Sequence, residues 1–384
     1  MSKIQARQPF KALYALCALT FELIRFPVWI LTYLIPPLRP NPKWTFRQAL
    51  MTRIVRSFLY HSANVEVRTP LSLRPGGEKK QFVVLSPANA SFYEGPVKDE
   101  HIKPEKIGGT WYPEPFPANG TANVDVVLNF HGGGYVIGDG RTKDAGFTAA
   151  TLLKTTPAKY VFCPQYRLAS NPDSRFPAAV QDAITSYVYL TKTLGIPSSR
   201  IIFSGDSAGG NLVLALLRFL AEFGEQVGLS HPACAFLWSP WVDLEAAIDP
   251  ANIRNSPHES TDYLCGAFGA WGGRSYISDH NTKLDPRNPY ISPLHHPFRT
   301  PVPLFVQSGG AEVLFHDHVE LVERFGDGGK KDIGVGNTVK LFVTEHAPHD
   351  IALVGHLLGF KKEFVEAVRG AAKFLEKYRY RPEL

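Results

Sequence analysis

Only four cysteines occur in the 384 residues, and Cys17, Cys163, Cys234 and Cys265 are too far apart for a disulfide framework or a metal site. Two of them sit in apolar, strand-like runs, which predicts buried free thiols. The chain has no zinc-finger spacing, no recognition-helix signature and no basic and aromatic RNA motif, so nothing points to a nucleic-acid partner. Internal repeats and low-complexity tracts are absent as well. No small-residue cleavage site follows the apolar run near the N-terminus, which favours a retained segment over a removed signal peptide. Nothing implies a metal or an organic cofactor, and oligomeric state is left open.

What is present is ordinary globular composition, 44% hydrophobic and 20% charged, on a chain long enough for one large α/β domain with insertions or two smaller ones. Charge is unevenly placed. Residues 1–80 hold 13 Lys+Arg against 3 Asp+Glu, a net +10, which leaves 28 against 32, or −4, for residues 81–384. A basic first fifth on a mildly acidic body suggests an N-terminal segment near an anionic membrane surface. Two sequons, Asn89-Ala90-Ser91 and Asn119-Gly120-Thr121, would be used only if the body faced a lumen.

Leu13 to Ile35 is the most apolar stretch and is long enough for a membrane span, but Glu22, Arg25 and Pro27 interrupt it. Three readings stand: a signal anchor, an interfacial hairpin, or cap helices over an active site. They set membrane association, with the endoplasmic reticulum as one location, against a cytoplasmic protein. After the stiff Pro36–Pro42 break, Phe46, Leu50, Ile54 and Phe58 recur at helical spacing with Arg47, Arg53 and Arg56 between them. This predicts an amphipathic helix with a basic face over Trp44–Tyr60. The expected division is residues 1–40 as anchor or cap, 41–115 as amphipathic helix and early strands, and 116–384 as the main domain.

From Gln81 onward, strand-like runs alternate with helical patterns over more than 250 residues, which predicts a mostly parallel sheet covered on both faces. Between Trp241 and Pro293 the alternation lapses into a stretch dense in Gly, Pro, Asn, Trp and Tyr. An insertion of this length is expected to sit as a cap over the strand ends.

The chemistry gathers around Arg200-Ile201-Ile202-Phe203-Ser204-Gly205-Asp206-Ser207-Ala208-Gly209-Gly210-Asn211-Leu212. A strand runs into a helix through G-x-S-x-G, the context in which this motif lifts a serine hydroxyl above a sheet. A serine needs a base to take its proton, and the base needs an orienting carboxylate. In the order Ser, acid, His, two late loops each follow a predicted strand. One offers Glu312, with Asp317 as competitor, and the other offers His349, with His346 as competitor; Glu312 and His349 are preferred. His131-Gly132-Gly133-Gly134 follows another strand. Its backbone donors, with the N–H of Ala208, would make an oxyanion hole, each donor contributing about 2.7–4 kcal/mol to the transition state.

With these residues the chain resembles the hormone-sensitive-lipase-like esterases of the α/β-hydrolase class. The resemblance runs from about Val124 to the C-terminus. It includes His131-Gly132-Gly133-Gly134, Tyr166-Arg167-Leu168-Ala169, Phe176-Pro177-Ala178-Ala179, Gly205-Asp206-Ser207-Ala208-Gly209-Gly210, Ser239-Pro240-Trp241-Val242-Asp243-Leu244 and Ser292-Pro293-Leu294. It implies an α/β-hydrolase fold capped by the N-terminal region and the insertion. It also implies Ser207 as nucleophile, His349 as general base, and Gly133, Gly134 and Ala208 as oxyanion donors, with Glu312 where the family more often has aspartate. Ser170-Asn171 replaces the family's proline after Tyr-Arg-Leu-Ala. The N-terminus is similar to that of fungal steryl acetyl hydrolases, which favours a small-acyl, hydrophobic ester as substrate. The alternatives are an acyltransferase or cyclase using the same residues, and a small-molecule-binding protein of the gibberellin-receptor kind. Such receptors lack the histidine that His349 supplies here.

Overall fold

The β-branched and aromatic runs of the sequence pair into one eight-stranded sheet. The computed structural model describes residues 4–117, 123–278, 284–327 and 334–379. The sequon at Asn119 lies outside them, whereas Asn89 is exposed. The strands are β1 (Phe82–Leu85), β2 (Ile107–Tyr112), β3 (Val126–Phe130), β4 (Tyr160–Gln165), β5 (Ile201–Asp206), β6 (Cys234–Trp238), β7 (Leu304–Gly309) and β8 (Val339–Thr344). Their spatial order is β1-β2-β4-β3-β5-β6-β7-β8. β1 and β2 run antiparallel to their neighbours, and β4, β3, β5, β6, β7 and β8 form a continuous parallel ladder.

The main helices are α1 (Phe10–Leu34), α2 (Phe46–Val65), α3 (Thr142–Thr155), α4 (Ala178–Val188), α5 (Ala208–Val227), α6 (Leu244–Ile248), α7 (Pro250–Arg254), α8 (Gly266–Ile277), α9 (Phe315–Phe325), α10 (Ile351–Leu358) and α11 (Lys361–Arg379). Because successive strand residues point to opposite faces, both faces of β5 need cover. Phe203 meets Tyr187 of α4 on one side. Ser204, the next residue, accepts from Trp238 Nε1 at 2.9 Å, and Trp238 packs edge-on against Phe364 of α11 on the other side. The sheet is therefore sandwiched, as the alternating pattern predicts, and β3, β5 and β6 are buried throughout. Cys163, Cys234 and Cys265 are buried free thiols; Cys17 departs from the expectation and is exposed on α1.

The parallel ladder places the loops after β3, β5, β7 and β8 along one edge, where functional residues of such sheets gather. Over that edge lies a cap made from two distant parts of the chain. α2 packs on α8, which also packs on α6 and α7. Arg56 of α2 is the clasp: its guanidinium donates to the backbone oxygens of Glu259 and Asp262, both at 2.8 Å, and pairs with the Glu259 carboxylate. The basic residues expected to form an outward face are thus engaged by protein groups, Arg53 and Arg56 half-buried and Arg47 exposed. Arg47 donates to the His356 carbonyl at 3.0 Å, and Arg53 lies over the ring of Trp29.

Arg56→Ala leaves those carbonyls without their donor. We expect a loss of about 2 kcal/mol in denaturant unfolding, with α2 and residues 259–264 gaining amide exchange ahead of the sheet; unchanged exchange there would show that the clasp is not what joins them.

Candidate active site

Ser207 occupies the sharp turn between β5 and α5 with φ 49° and ψ −114°, a positive φ that a non-glycine residue adopts only under constraint. Its flanking glycines supply the room. A Cβ on Gly205 would come 2.3 Å from the Gly209 oxygen, and one on Gly209 would come 2.0 Å from the Phe130 oxygen at the end of β3. Ser207 is almost covered, at 8% exposure.

Its hydroxyl oxygen lies 2.9 Å from His349 Nε2, and His349 Nδ1 lies 2.7 Å from a Glu312 carboxylate oxygen. The structure brings together the three residues singled out in the sequence. The competitors are elsewhere. Asp317 sits at the start of α9 among His318, Asp243, Glu320 and His295. His346 is exposed at the loop surface, where its carbonyl accepts from Trp44 Nε1 at 2.6 Å.

Glu312 is completely buried, and its second oxygen is held by the Gly309 N–H at 2.6 Å, Ser308 Oγ at 2.9 Å and Ser239 Oγ at 3.0 Å. His318, also fully buried, places Nδ1 3.3 Å from the same oxygen and donates Nε2–H to the Pro240 carbonyl at 2.8 Å. Burial pushes the Glu312 carboxyl up, but His318, His349 and the other donors outweigh it and hold it well below the usual carboxylate range. Burial by itself would lower the His349 imidazole. The Glu312 hydrogen bond and charge, with further acidic groups nearby, raise it to about 9.

The His131–Gly134 loop adjoins this cluster because Phe130 pairs with Gly205 in register. Gly133 and Gly134 have φ 105° and 60°, and a Cβ on Gly133 would strike the Ile137 oxygen at 2.2 Å. Among the described residues, the N–H groups of Gly133, Gly134 and Ala208 donate to no protein acceptor. Preceding them, His131 is stacked on Tyr166 and buried, which lowers it to about 4 and keeps it neutral.

Several supporting residues were not foreseen. Gly132 donates its N–H to Asp206 at 2.5 Å, and the Asp206 carboxyl is hydrogen-bonded to that of Asp350, beside His349. Burial followed by repulsion from the Asp350 carboxyl raises Asp206 far above its ordinary range. From the cap, Asp262 accepts the backbone N–H groups of His349 at 3.2 Å and Val313 at 2.8 Å. Burial raises Asp262 to about 6. Spacing carried no signal for these residues, because each contact joins segments far apart in sequence.

Residues 127–353 match the family described as alpha/beta hydrolase fold. The chain belongs to that family. It is 31% identical over 212 residues to an acetyl-hydrolase of Streptomyces hygroscopicus, a match covering 52% of this chain and 60% of that protein. It is 23% identical over 212 residues to steryl acetyl hydrolase 1 of Saccharomyces cerevisiae, covering 54% of this chain and 47% of the relative. These matches therefore span about half to three fifths of the relatives' lengths. Among solved structures, a hormone-sensitive lipase from a metagenome library superposes with a TM-score of 0.56 at 28% identity, covering 71% of this chain and 82% of that one.

Two outcomes test the electrostatics of the site. A base must be neutral, so a raised His349 predicts activity that falls as pH drops below about 9. Glu312→Gln removes the charge that raises it; the acid limb of the pH–rate profile should move to lower pH while kcat falls by roughly 10³–10⁴. His318→Leu should cost about 1–3 kcal/mol of stability, since it strips a donor group from a buried carboxylate; a neutral effect in denaturant unfolding would assign His318 to packing alone.

Proposed function

We propose that the protein is a serine carboxylic-ester hydrolase acting on short-acyl esters of hydrophobic alcohols. The observation that carries this reading is the unbroken contact from Ser207 Oγ through His349 to Glu312, beside three backbone donors that have no acceptor among the described residues. Ser207 Oγ attacks the ester carbonyl as its proton passes to His349 Nε2. Negative charge then develops on the former carbonyl oxygen, where the Gly133, Gly134 and Ala208 N–H groups stabilise it. The protonated imidazole is stabilised by Glu312 and returns its proton to the leaving alcohol oxygen, giving an acyl-serine. Water, deprotonated by the same imidazole, attacks the acyl carbonyl and regenerates the hydroxyl while the carboxylic acid leaves.

Two features support the substrate class. The relatives' names include acetyl-hydrolase and steryl acetyl hydrolase. In addition, the cap presents aromatic rings to the site: Tyr263 lies 5.8 Å from the His349 ring, and Phe268, packed on Trp271, lies beside Gly134. An aromatic wall next to the glycine loop suits a small acyl group and an apolar alcohol.

Release of p-nitrophenol from acetate, butyrate and decanoate esters tests this directly. Wild type should turn over acetate and butyrate faster than decanoate. Ser207→Ala should lower kcat by a factor on the order of 10⁶. Full activity in the Ser207→Ala protein, or no turnover by folded wild type, would refute the reading.

A further inference from the structure

α1 is the one described helix long and apolar enough to cross a membrane by length and composition. Its surroundings are unusual for a core helix: of its residues only Trp29 is buried. Leu13, Leu16, Leu19, Leu23, Ile24 and Leu31 are each 59–69% exposed.

The polar residues that interrupt α1 are on its other side. Tyr14 O–H is 2.9 Å from His61 Nδ1, and Glu22 is 2.9 Å from His61 Nε2. Further along, Arg25 and Arg53 both lie against the ring of Trp29. Lys11, Tyr14, Ala18, Glu22, Arg25 and Tyr33, all half-protected, and buried Trp29 recur at intervals of three and four, with half-protected Thr32 on the same stripe and Ile30 just outside it. At 3.6 residues per turn they fill an arc of roughly 100°, while the exposed apolar residues fill roughly 220°. An arc that wide exceeds the single stripe a helix offers to one protein partner. It suits a fluid apolar phase that closes around the helix.

The protected stripe also fixes the direction. α1 is backed by α2 from Tyr14 to Trp29, and α2 is bound to the body through Arg47 in its first turn and Arg56 at its middle. Standing α1 across a bilayer would draw Arg53, Arg56 and His61 through the hydrocarbon, where charges are costly. Lying along the surface keeps them out of it. Lys11 in the first turn and exposed Lys43 beyond the last belong to the segment with net charge +10, which complements an anionic leaflet.

We propose that α1 lies in the plane of a bilayer, its apolar arc sunk into one leaflet and its polar stripe seated on α2, with an anionic lipid surface as the partner. α2 also holds the site: Trp44, just before it, binds the His346 carbonyl, and Arg56 binds the segment carrying Asp262.

The test uses the full chain with phosphatidylcholine vesicles containing phosphatidylserine. Wild type should float with the vesicles, and Ile24→Glu/Leu31→Glu should reduce the bound fraction by roughly tenfold or more with an unchanged melting temperature. Direction is read from bimane attached to Cys17, and to Leu13→Cys, Ile24→Cys or Leu31→Cys in a Cys17→Ser background; the remaining three cysteines are buried. In-plane seating predicts stronger quenching by shallow than by deep nitroxide lipids at all four positions. A depth that runs from one interface through the bilayer centre to the other would overturn it. So would wild type that remains in the vesicle-free fraction, including as a dimer. Neither readout uses turnover, so this proposal and the esterase reading fail separately.

Discussion

No side chain fits between the first turn of α5 and the end of β3, and the rest of the site depends on that contact. Gly209 lies so close to the Phe130 carbonyl that only hydrogen can stand there. The contact brings the N-terminus of α5 against the strand that delivers His131–Gly134, so the Ala208 N–H and the glycine N–H groups share one small space. It also forces the chain to reverse within one residue, which is why Ser207 takes a positive φ. Local strain of this kind, on the order of 1–3 kcal/mol, persists because β5 is locked between β3 and β6 by a parallel ladder whose register has no slack. The hydroxyl is consequently held 2.9 Å from His349 Nε2.

The acid of the constellation shows the same economy of motion. A glutamate is one methylene longer than an aspartate and has more rotamers to lose. Here its carboxylate is gripped by Ser239, Ser308, the Gly309 N–H and His318, leaving one oxygen for His349. Across the site, the Asp206–Asp350 carboxyl pair ties the oxyanion loop to the residue after His349. Both sides of the reacting space are therefore anchored to the same histidine loop.

How much of this the sequence reveals follows from the range of each constraint. Ser207, Gly205, Gly209 and the Gly132–Gly134 run are legible because their demands fall on backbone within a few residues. Glu312 and His349 are legible through their positions after apolar strands, and the fold class through the alternation of strand and helix. His318, Asp262 and Asp350 are not, since their partners lie on other segments and a lone buried acid or histidine carries no pattern. α8 is hidden for another reason. Its glycines weaken any helical pattern, yet Gly272 is needed where a Cβ would come 2.6 Å from the Gly134 oxygen. The close approach that seats the cap on the oxyanion loop is what erases the helix signal.

The N-terminal region shows how a pattern can be present and its meaning still depend on packing. Glu22 and Arg25 count against a membrane segment only if lipid surrounds the helix on every side. Once α2 occupies the arc on which they lie, Glu22 pairs with His61 and Arg25 lies over the Trp29 ring, and the remaining arc is mostly apolar. The same step changes the meaning of the arginines in α2. Their spacing suggests a basic surface, but Arg47, Arg53 and Arg56 are spent on carbonyls, an aromatic ring and a carboxylate that join α1, the cap and the sheet into one body. A lipid-facing helix joined this way cannot tilt or slide independently of the site. From α1 through α2 to Trp44 and Arg56, and from them to His346, Asp262 and the His349 backbone, every link is a direct contact. Any force that orients α1 is thereby transmitted to the loop that holds His349.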